Sequence, residues 1–386
     1  MSSAIPSHVR EPLTGLILSG GGARAAYQVG VLAGIADLLP IGAQNPFPVI
    51  VGTSAGAINA VALASGALNF RTAIYELTDF WQGFRSHQVL RSDWMGVMRQ
   101  ALRFMRHGLL GMGRRNPVAL LDSSPLRDLL SRRLELDGID DALEARHLRA
   151  VAVTAFGYES GQAMTFYQGR DSIQPWLRHR RIGVPARLTV DHLLASSAIP
   201  LLFEPVRLAN EYFGDGAVRQ SAPISPALHL GASRVLVVGV SGNAHAAQGP
   251  KVPRPRSGLQ PTLAQIGGHM LNSTFIDNLE SDLELLERMN QLLPDAPPIN
   301  TAGLAPVEVL VVAPSRPLDE IAARYRYELP HALRTFLRGP GATRNSGASV
   351  LSYLLFEAGY CSELIELGRQ DAMAQAFELK RFLGIA

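Results

Sequence analysis

Residues 48–70 read PVIVGTSAGAINAVALASGALNF, and the fold turns on how they are parsed. Nothing between Leu38 and Phe70 is charged, so a membrane span is one reading. Pro46 and Pro48 ahead of the run, Gly52 and Gly56 inside it, and a scatter of Ser, Thr and Asn argue against that reading. The β-branched run Val49-Ile50-Val51 followed by a glycine-bounded turn reads instead as a buried parallel strand entering a buried helix. Ser54 then sits in Gly52-Thr53-Ser54-Ala55-Gly56, a G-x-S-x-G pentapeptide between strand and helix. That is the setting of a nucleophile elbow. The turn is sharp, its flanks must be small, and the helix N-terminus behind it adds free N–H groups and a positive dipole end. G-x-S-x-G also arises by chance in long chains; the strand–turn–helix setting is what favours the functional reading.

The same grammar extends outward. In residues 13–39 a strand over about Thr14–Leu18 is followed by a glycine-rich turn. A helix then begins near Ala23, with apolar spacing through Val29, Leu32, Ile35, Ala36 and Leu39. The second helix spans about Ala55–Leu68. Strand–helix–strand–helix at this spacing predicts a parallel sheet covered by helices. Residues 71–134 read as helices, the last with Ser124 as N-cap and Pro125 at the first helical position.

A hairpin follows, turning at Glu159-Ser160-Gly161. Residues 188–200, LTVDHLLASSAIP, form a helix stopped near Pro200. A second hairpin turns at Ala209-Asn210 and ends at Gly214-Asp215-Gly216. Further buried strands are expected in 233–241 and 307–314, a single long helix over about 261–292, and two terminal helices in 349–383. The expected class is α/β, with a mostly parallel central sheet flanked by helices and added C-terminal helices. The expected organisation is a flexible tail (1–11), a sheet-centred domain (12–315) with a mobile loop at 242–261, and a helical extension (316–386) packed on the same domain.

The chain has 386 residues, 47% of them hydrophobic, enough for a large core. A formal charge of +3 does not imply a nucleic-acid partner. The positive charge is almost all arginine, with Lys251 and Lys380 the only lysines. Cys361 is the single cysteine, so neither a disulfide framework nor a cysteine-based metal site can be built. The N-terminus lacks the basic and apolar regions of a signal peptide. A soluble, cytoplasmic protein without metal or cofactor is expected.

A serine hydroxyl needs a base. Nine of the ten histidines follow Ser54, and none sits in a context that singles it out. Only two strands precede the elbow, fewer than in the common α/β-hydrolase arrangement. Asp215, flanked by Gly214 and Gly216 at a strand end, is a better candidate, since the glycines let the backbone turn and present the carboxylate. An Asp-Gly turn residue with no further role fits the same letters. The run Gly20-Gly21-Gly22 between strand and helix leaves N–H groups without helical partners, a nest for an anion. Gly20 to Ala25 also fits a dinucleotide fingerprint, but the acidic residue expected after the second strand is absent: Val51 is followed by Gly-Thr-Ser.

Taken together, GGGAR at 20–24, GTSAG at 52–56 and DGA at 215–217 resemble the patatin-like phospholipases, lipid acyl hydrolases that use a Ser–Asp dyad without histidine. ASSAIP at 195–200 also resembles a segment that precedes the Asp in that family. The motifs occur in the family's order, with Asp215 161 residues beyond Ser54. The resemblance covers about 14–225 well and reaches more loosely to about 315. It implies Ser54 as nucleophile and Asp215 as base. It implies Gly20, Gly21 and Gly22 as the oxyanion loop with Arg24 near it. Ala25 stands where the family often has Gly and is expected to start the helix normally.

The implied reaction is hydrolysis of fatty-acyl esters of phospholipid or lysophospholipid through an acyl-enzyme. An esterase or thioesterase for another acyl substrate, a silent lipid-binding or scaffold protein, and a dinucleotide-binding protein are the rival readings. Residues 85–115 carry seven arginines and one acid, Asp93. Trp94, Met98, Leu102, Met105 and Leu109 recur there at helical spacing. That pattern fits either a cap helix with solvated arginines or an interfacial helix meeting anionic lipid, on the inner membrane for a cytoplasmic protein. WLRHRR at 176–181 is a second basic cluster.

Overall fold

The computed structural model describes residues 12–89, 119, 121–220, 223–241, 262–274, 278–293, 305–338 and 348–385. The tail 1–11, the loop 242–261 and most of the basic amphipathic stretch, 90–115, therefore lie outside the described residues. Among those described, ten strands make one sheet. β1 (Thr14–Leu18), β2 (Val49–Thr53), β3 (Ala150–Gly157), β9 (Arg234–Val238) and β10 (Glu308–Val312) form its parallel centre in the order β10-β9-β1-β2-β3. β4 (Ala163–Gly169), β5 (Trp176–Arg178) and β6 (Arg181–Pro185) extend it on one side. β7 (Val206–Leu208) and β8 (Glu211–Asp215) form the second hairpin, with β8 antiparallel to β3. The sheet is mixed and mostly parallel, as expected.

The middles of the central strands are apolar on both faces because both faces are covered, with polar residues such as Thr14, Thr53, Arg234 and Glu308 at strand ends. Period-two alternation divides them. Leu16, Leu18, Ile50, Val151, Val153, Leu236 and Val238 belong to the larger core cluster. Ile17, Val49, Val51, Ala150, Ala152, Val235 and Val237 belong to a smaller one on the other face. The larger cluster is roofed by α1 (Ala26–Leu38), α2 (Ala55–Ser65), α3 (Phe70–Gln82) and C-terminal helices.

Further along the chain, α4 (Ser86–Val89), α5 (Ser124–Arg133), α6 (Gly138–Glu144) and α7 (Val190–Ser196) lie before the second hairpin. α8 (Ser225–His229), α9 (Leu263–Asn272) and α10 (Asn278–Leu292) follow it, and residues of α8 and α10 cover the smaller cluster. α11 (Leu318–Tyr325), α12 (His331–Arg338), α13 (Ala348–Leu354), α14 (Ala358–Ala374) and α15 (Ala376–Leu383) complete the chain. Among the described residues no helix is long and apolar enough to cross a membrane.

Several boundaries differ from the sequence expectation. The first helix does not start at Ala23: Gly22–Ala25 form a 3-10 turn and α1 begins at Ala26. Gly22 adopts φ +56, a left-handed conformation that cannot open an α-helix. The helix expected to reach Leu68 ends at Ser65, where Gly66 caps it. Ser123, not Ser124, is the N-cap of α5, and Asp122 Oδ1 accepts the Ser124 N–H at 2.9 Å. The helix expected over 261–292 is described over Leu263–Asn272 and Asn278–Leu292, and 275–277 between them lie outside the described residues. The two terminal helices are three. The chain turns extended at Glu357, whose buried carboxylate accepts the Ser86 N–H at 3.1 Å, and breaks again at Gln375.

α14 packs closely along α1, and glycines make that possible. A methyl at Gly30 would overlap the Ile365 carbonyl, and one at Gly368 would overlap the Tyr27 carbonyl. Gly30→Ala gains about 1 kcal/mol of helix propensity but forces two backbones apart, an overpacking cost of roughly 3 kcal/mol. A net loss of about 2 kcal/mol is expected, read as a lower urea midpoint at unchanged m-value. An unchanged or higher midpoint would show that the contact can open freely.

Candidate active site

The strand register explains how two residues 161 positions apart meet. β3 pairs with β2 over Ala150–Thr154, and with β4 on its other edge as far as Phe156. β8 pairs with Ala155, Phe156 and Gly157 of β3, so it must occupy the edge that β2 has vacated. β2 ends with Thr53 opposite Thr154, and β8, running the other way, ends with Asp215 opposite Ala155. The two strands thus run nose to nose along one edge of β3. The residue that leaves β2, Ser54, faces the residue that ends β8.

Ser54 has φ 55 and ψ −132 and caps α2, a strained conformation for a residue with a side chain. Gly52 and Gly56 make the turn possible. A methyl at Gly52 would meet the Gly56 carbonyl and Ala57, and one at Gly56 would overlap the carbonyls of Leu18 and Ser19. The Ser54 N–H donates to Ser196 Oγ at 2.9 Å, and Ser196 Oγ donates to the Thr154 carbonyl at 2.7 Å. Two residues on, the Ala198 carbonyl accepts the Asp215 N–H at 2.8 Å. The end of α7 therefore pins both the elbow and the Asp strand. Gly216 lies against the Thr154 carbonyl with no room for a methyl, and Gly214 lies under Tyr158. Thr53 Oγ1 donates to Gln220 Oε1 at 2.6 Å, a further tie across the elbow.

Asp215 is fully buried. Its Oδ1 accepts the Ala217 N–H at 3.0 Å, and its Oδ2 has no partner within full hydrogen-bond geometry. Burial pushes its pKa from 3.8 up to about 7, against the Ser54 hydroxyl and the Ala217 N–H, which both pull it down. The hydroxyl is close enough to act on the carboxylate without a fully formed hydrogen bond, the looser geometry common in unliganded catalytic pairs. Among the described residues no histidine hydrogen-bonds to either group. His192 bonds to Thr189 and packs edge-on to Phe166, and His229 stacks on Trp176.

Gly20, Gly21 and Gly22 follow β1, the parallel neighbour of β2, with Leu18 in register with Gly52. They lie at the carboxyl ends of the strands, as does Ser54, where open α/β sheets bind ligands. All three are buried, and among the described residues their N–H groups donate no hydrogen bond. Buried orphan N–H groups are rare in proteins and suit an anion. Arg24, on the turn that follows, is 4% exposed. Ala25 ends the 3-10 turn, and its carbonyl accepts from Asn59 Nδ2 at 3.0 Å.

Gly22 and Ser54 line one cleft with Trp81, Phe84, Tyr353 and Phe356. Among the described residues its lining carries no charged side chain, and it holds about 580 Å3 of empty space, part of it continuous with solvent.

A protein-family profile described as "Patatin-like phospholipase" matches residues 16–228, more than half of the chain. The chain belongs to the patatin-like phospholipase family. A protein named cGAMP-activated phospholipase from Pseudomonas aeruginosa (strain BWHPSA011 / Pa011) is 30% identical over 214 residues, 55% of this chain and 55% of that one. The match thus spans about half the length of that relative. A crystal structure of VipD from Legionella pneumophila overlaps 79% of this chain and 61% of its own, at a TM-score of 0.34 and 15% identity.

The patatin-like region contains every candidate site residue picked from the sequence. Sequence reasoning missed the parts that hold them. Ser196 lies in the ASSAIP segment, whose resemblance marked the stretch but not the hydroxyl's job. The partners of Arg24 are Ser352 and Tyr353, beyond the matched region, and no local pattern points to them.

Proposed function

We propose that this protein hydrolyses fatty-acyl esters of phospholipids or lysophospholipids, with Ser54 as nucleophile and Asp215 as base. One arrangement carries the reading: a strained serine beside a buried carboxylate, next to three buried N–H groups that donate to nothing among the described residues, in a cleft lined by apolar side chains. In the first half-reaction Asp215 takes the hydroxyl proton as Ser54 Oγ attacks the ester carbonyl carbon. The tetrahedral oxyanion lies in the glycine loop, and the leaving alcohol departs with the proton from Asp215. In the second half-reaction Asp215 takes a proton from water, the hydroxide adds to the acyl carbon, and Ser54 leaves reprotonated with release of the fatty acid. The apolar side chains that line the cleft, Trp81, Phe84 and Phe356 among them, suit the hydrocarbon chain. In this reading the catalytic unit spans 12–315 with 316–386 as its helical extension. Family membership and the phospholipase name of the relative support a lipid ester as substrate.

The test is release of fatty acid from defined phospholipids and lysophospholipids by the purified protein, followed by mass spectrometry beside Ser54→Ala. Release that depends on Ser54 is expected; equal release by both would sink the reading. The pH dependence is a second check. The base must be ionised, and its pKa is about 7. kcat/KM should therefore rise about tenfold per pH unit below 7 and level off above it. A profile flat from pH 5 to 8 would remove Asp215 as the titrating base.

A further inference from the structure

Arg24 is a buried cation whose neighbours solvate it without neutralising it. Its Nε donates to Ser352 Oγ at 2.8 Å and its Nη1 to the Tyr353 hydroxyl at 3.4 Å. Its Cζ lies 4.1 Å from the centroid of the Tyr353 ring. Among the described residues no carboxylate pairs with it. Ser352 and Tyr353 are themselves fully buried. Ser352 Oγ donates its own proton to the Ser349 carbonyl at 2.6 Å, which leaves its lone pairs to Arg24. The Tyr353 hydroxyl also bonds Asn272 of α9 at 3.0 Å. The same tyrosine's carbonyl presses on Gly22, where a methyl would overlap it.

The charge balance is the informative part. A carboxylate beside Arg24 would satisfy the guanidinium but cancel its field. Hydroxyl oxygens and an aromatic face satisfy a cation while leaving its charge in place. In a buried setting that charge acts strongly on its surroundings. It stands two residues beyond the loop whose N–H groups await an anion. Both neutral partners come from α13, well beyond the family-matched region that ends at residue 228.

We propose that Ser352 and Tyr353 are positioning residues for acyl transfer: through Arg24 and Gly22, helix α13 of the C-terminal extension holds the glycine loop and an unneutralised positive charge in place for the oxyanion. The inference rests on the hydrolytic reading above. The oxyanion exists only in the transition state and the tetrahedral intermediate, so the effect falls on kcat and spares KM.

The experiment is a kinetic cycle on the full chain with a phospholipid that the wild type hydrolyses. Arg24→Gln lowers kcat about 100-fold, the scale of a lost oxyanion-stabilising group. Ser352→Ala lowers kcat about tenfold with KM within about twofold, and Ser352→Thr, which restores the hydroxyl, recovers most of it. Added to Arg24→Gln, Ser352→Ala costs little more, because the two act as one unit. Tyr353→Phe keeps the ring over the guanidinium but removes one acceptor, and lowers kcat about threefold, less than Ser352→Ala. If Ser352→Ala loses its cooperative melt, Ser352→Cys, similar in size but a poor acceptor, takes its place and shows the same kcat loss.

A Ser352 variant with wild-type kcat, a loss confined to KM, or full additivity with Arg24→Gln would each overturn the inference. Those outcomes leave Ser54-dependent hydrolysis by the wild type intact, whereas equal turnover by Ser54→Ala would remove the hydrolytic reading itself.

Discussion

Replacing Ser54 by alanine is expected to lower ester hydrolysis by at least about 10³-fold, and Asp215→Asn to do the same, with both proteins folded. The two losses arise differently. Ser54→Ala removes the atom that forms the acyl-enzyme, leaving only what the glycine loop and the cleft can do for attack by water. Asp215→Asn leaves the nucleophile but takes away the proton acceptor in both half-reactions. No described histidine hydrogen-bonds to Ser54 and could take over. The residues act as one unit, so the double variant should be little worse than either single one. Steady-state turnover of one phospholipid by all three proteins, with circular dichroism to show that the fold survives, reads the result. Wild-type turnover by either single variant would end the assignment, and strict additivity would show that the two groups do not cooperate.

The second large effect is on stability, and its sign is opposite. Asp215 is fully buried, with a folded pKa of about 7 against 3.8 for an ordinary aspartate. Between those values the folded protein keeps a proton that the unfolded chain has shed, so stability falls as pH rises from about 4 to 7. Above 7 the whole penalty of a buried charge is present. Three decades at roughly 1.4 kcal/mol each put it at about 4 kcal/mol. Asparagine cannot ionise and does not carry that penalty. Asp215→Asn should therefore be more stable than the wild type by about 3–4 kcal/mol at pH 8, and by almost nothing at pH 4. Urea denaturation at the two pH values measures it. A variant less stable than wild type at pH 8 would mean that the carboxylate is held by favourable contacts and is not strained by burial. A gain would be the common trade in which a catalytic group is kept at the expense of fold stability.

The strands and the elbow were legible in the sequence because their causes are local. β1 and β2 are short β-branched or apolar runs closed by glycines, and the sheet class follows from strand–helix alternation. Gly52 and Gly56 could be assigned to a tight turn since nothing larger fits there. Boundaries set by other parts of the chain were not legible. Gly22 begins a 3-10 turn at φ +56, packed against the Tyr353 carbonyl from 331 residues away, where no side chain would fit. The terminal helices break at Glu357, whose carboxylate is engaged with Ser86. The role of 316–386 could not be read at all, as its small residues look like any helical spacing until Gly368 meets Tyr27 and Gly30.

For the site, sequence alone determined the chemical parts: a serine on a strand-to-helix turn, an aspartate between glycines, and a glycine loop. These are decided by residue type and nearest neighbours. Only the tertiary structure decided that β8 runs head-on into β2 along one edge of β3, that Asp215 loses all contact with water, and that Arg24 finds neutral partners in α13. Pairing, burial and the field around a buried charge depend on which distant segments share an edge or a cavity, and that is set by the packing of the whole chain.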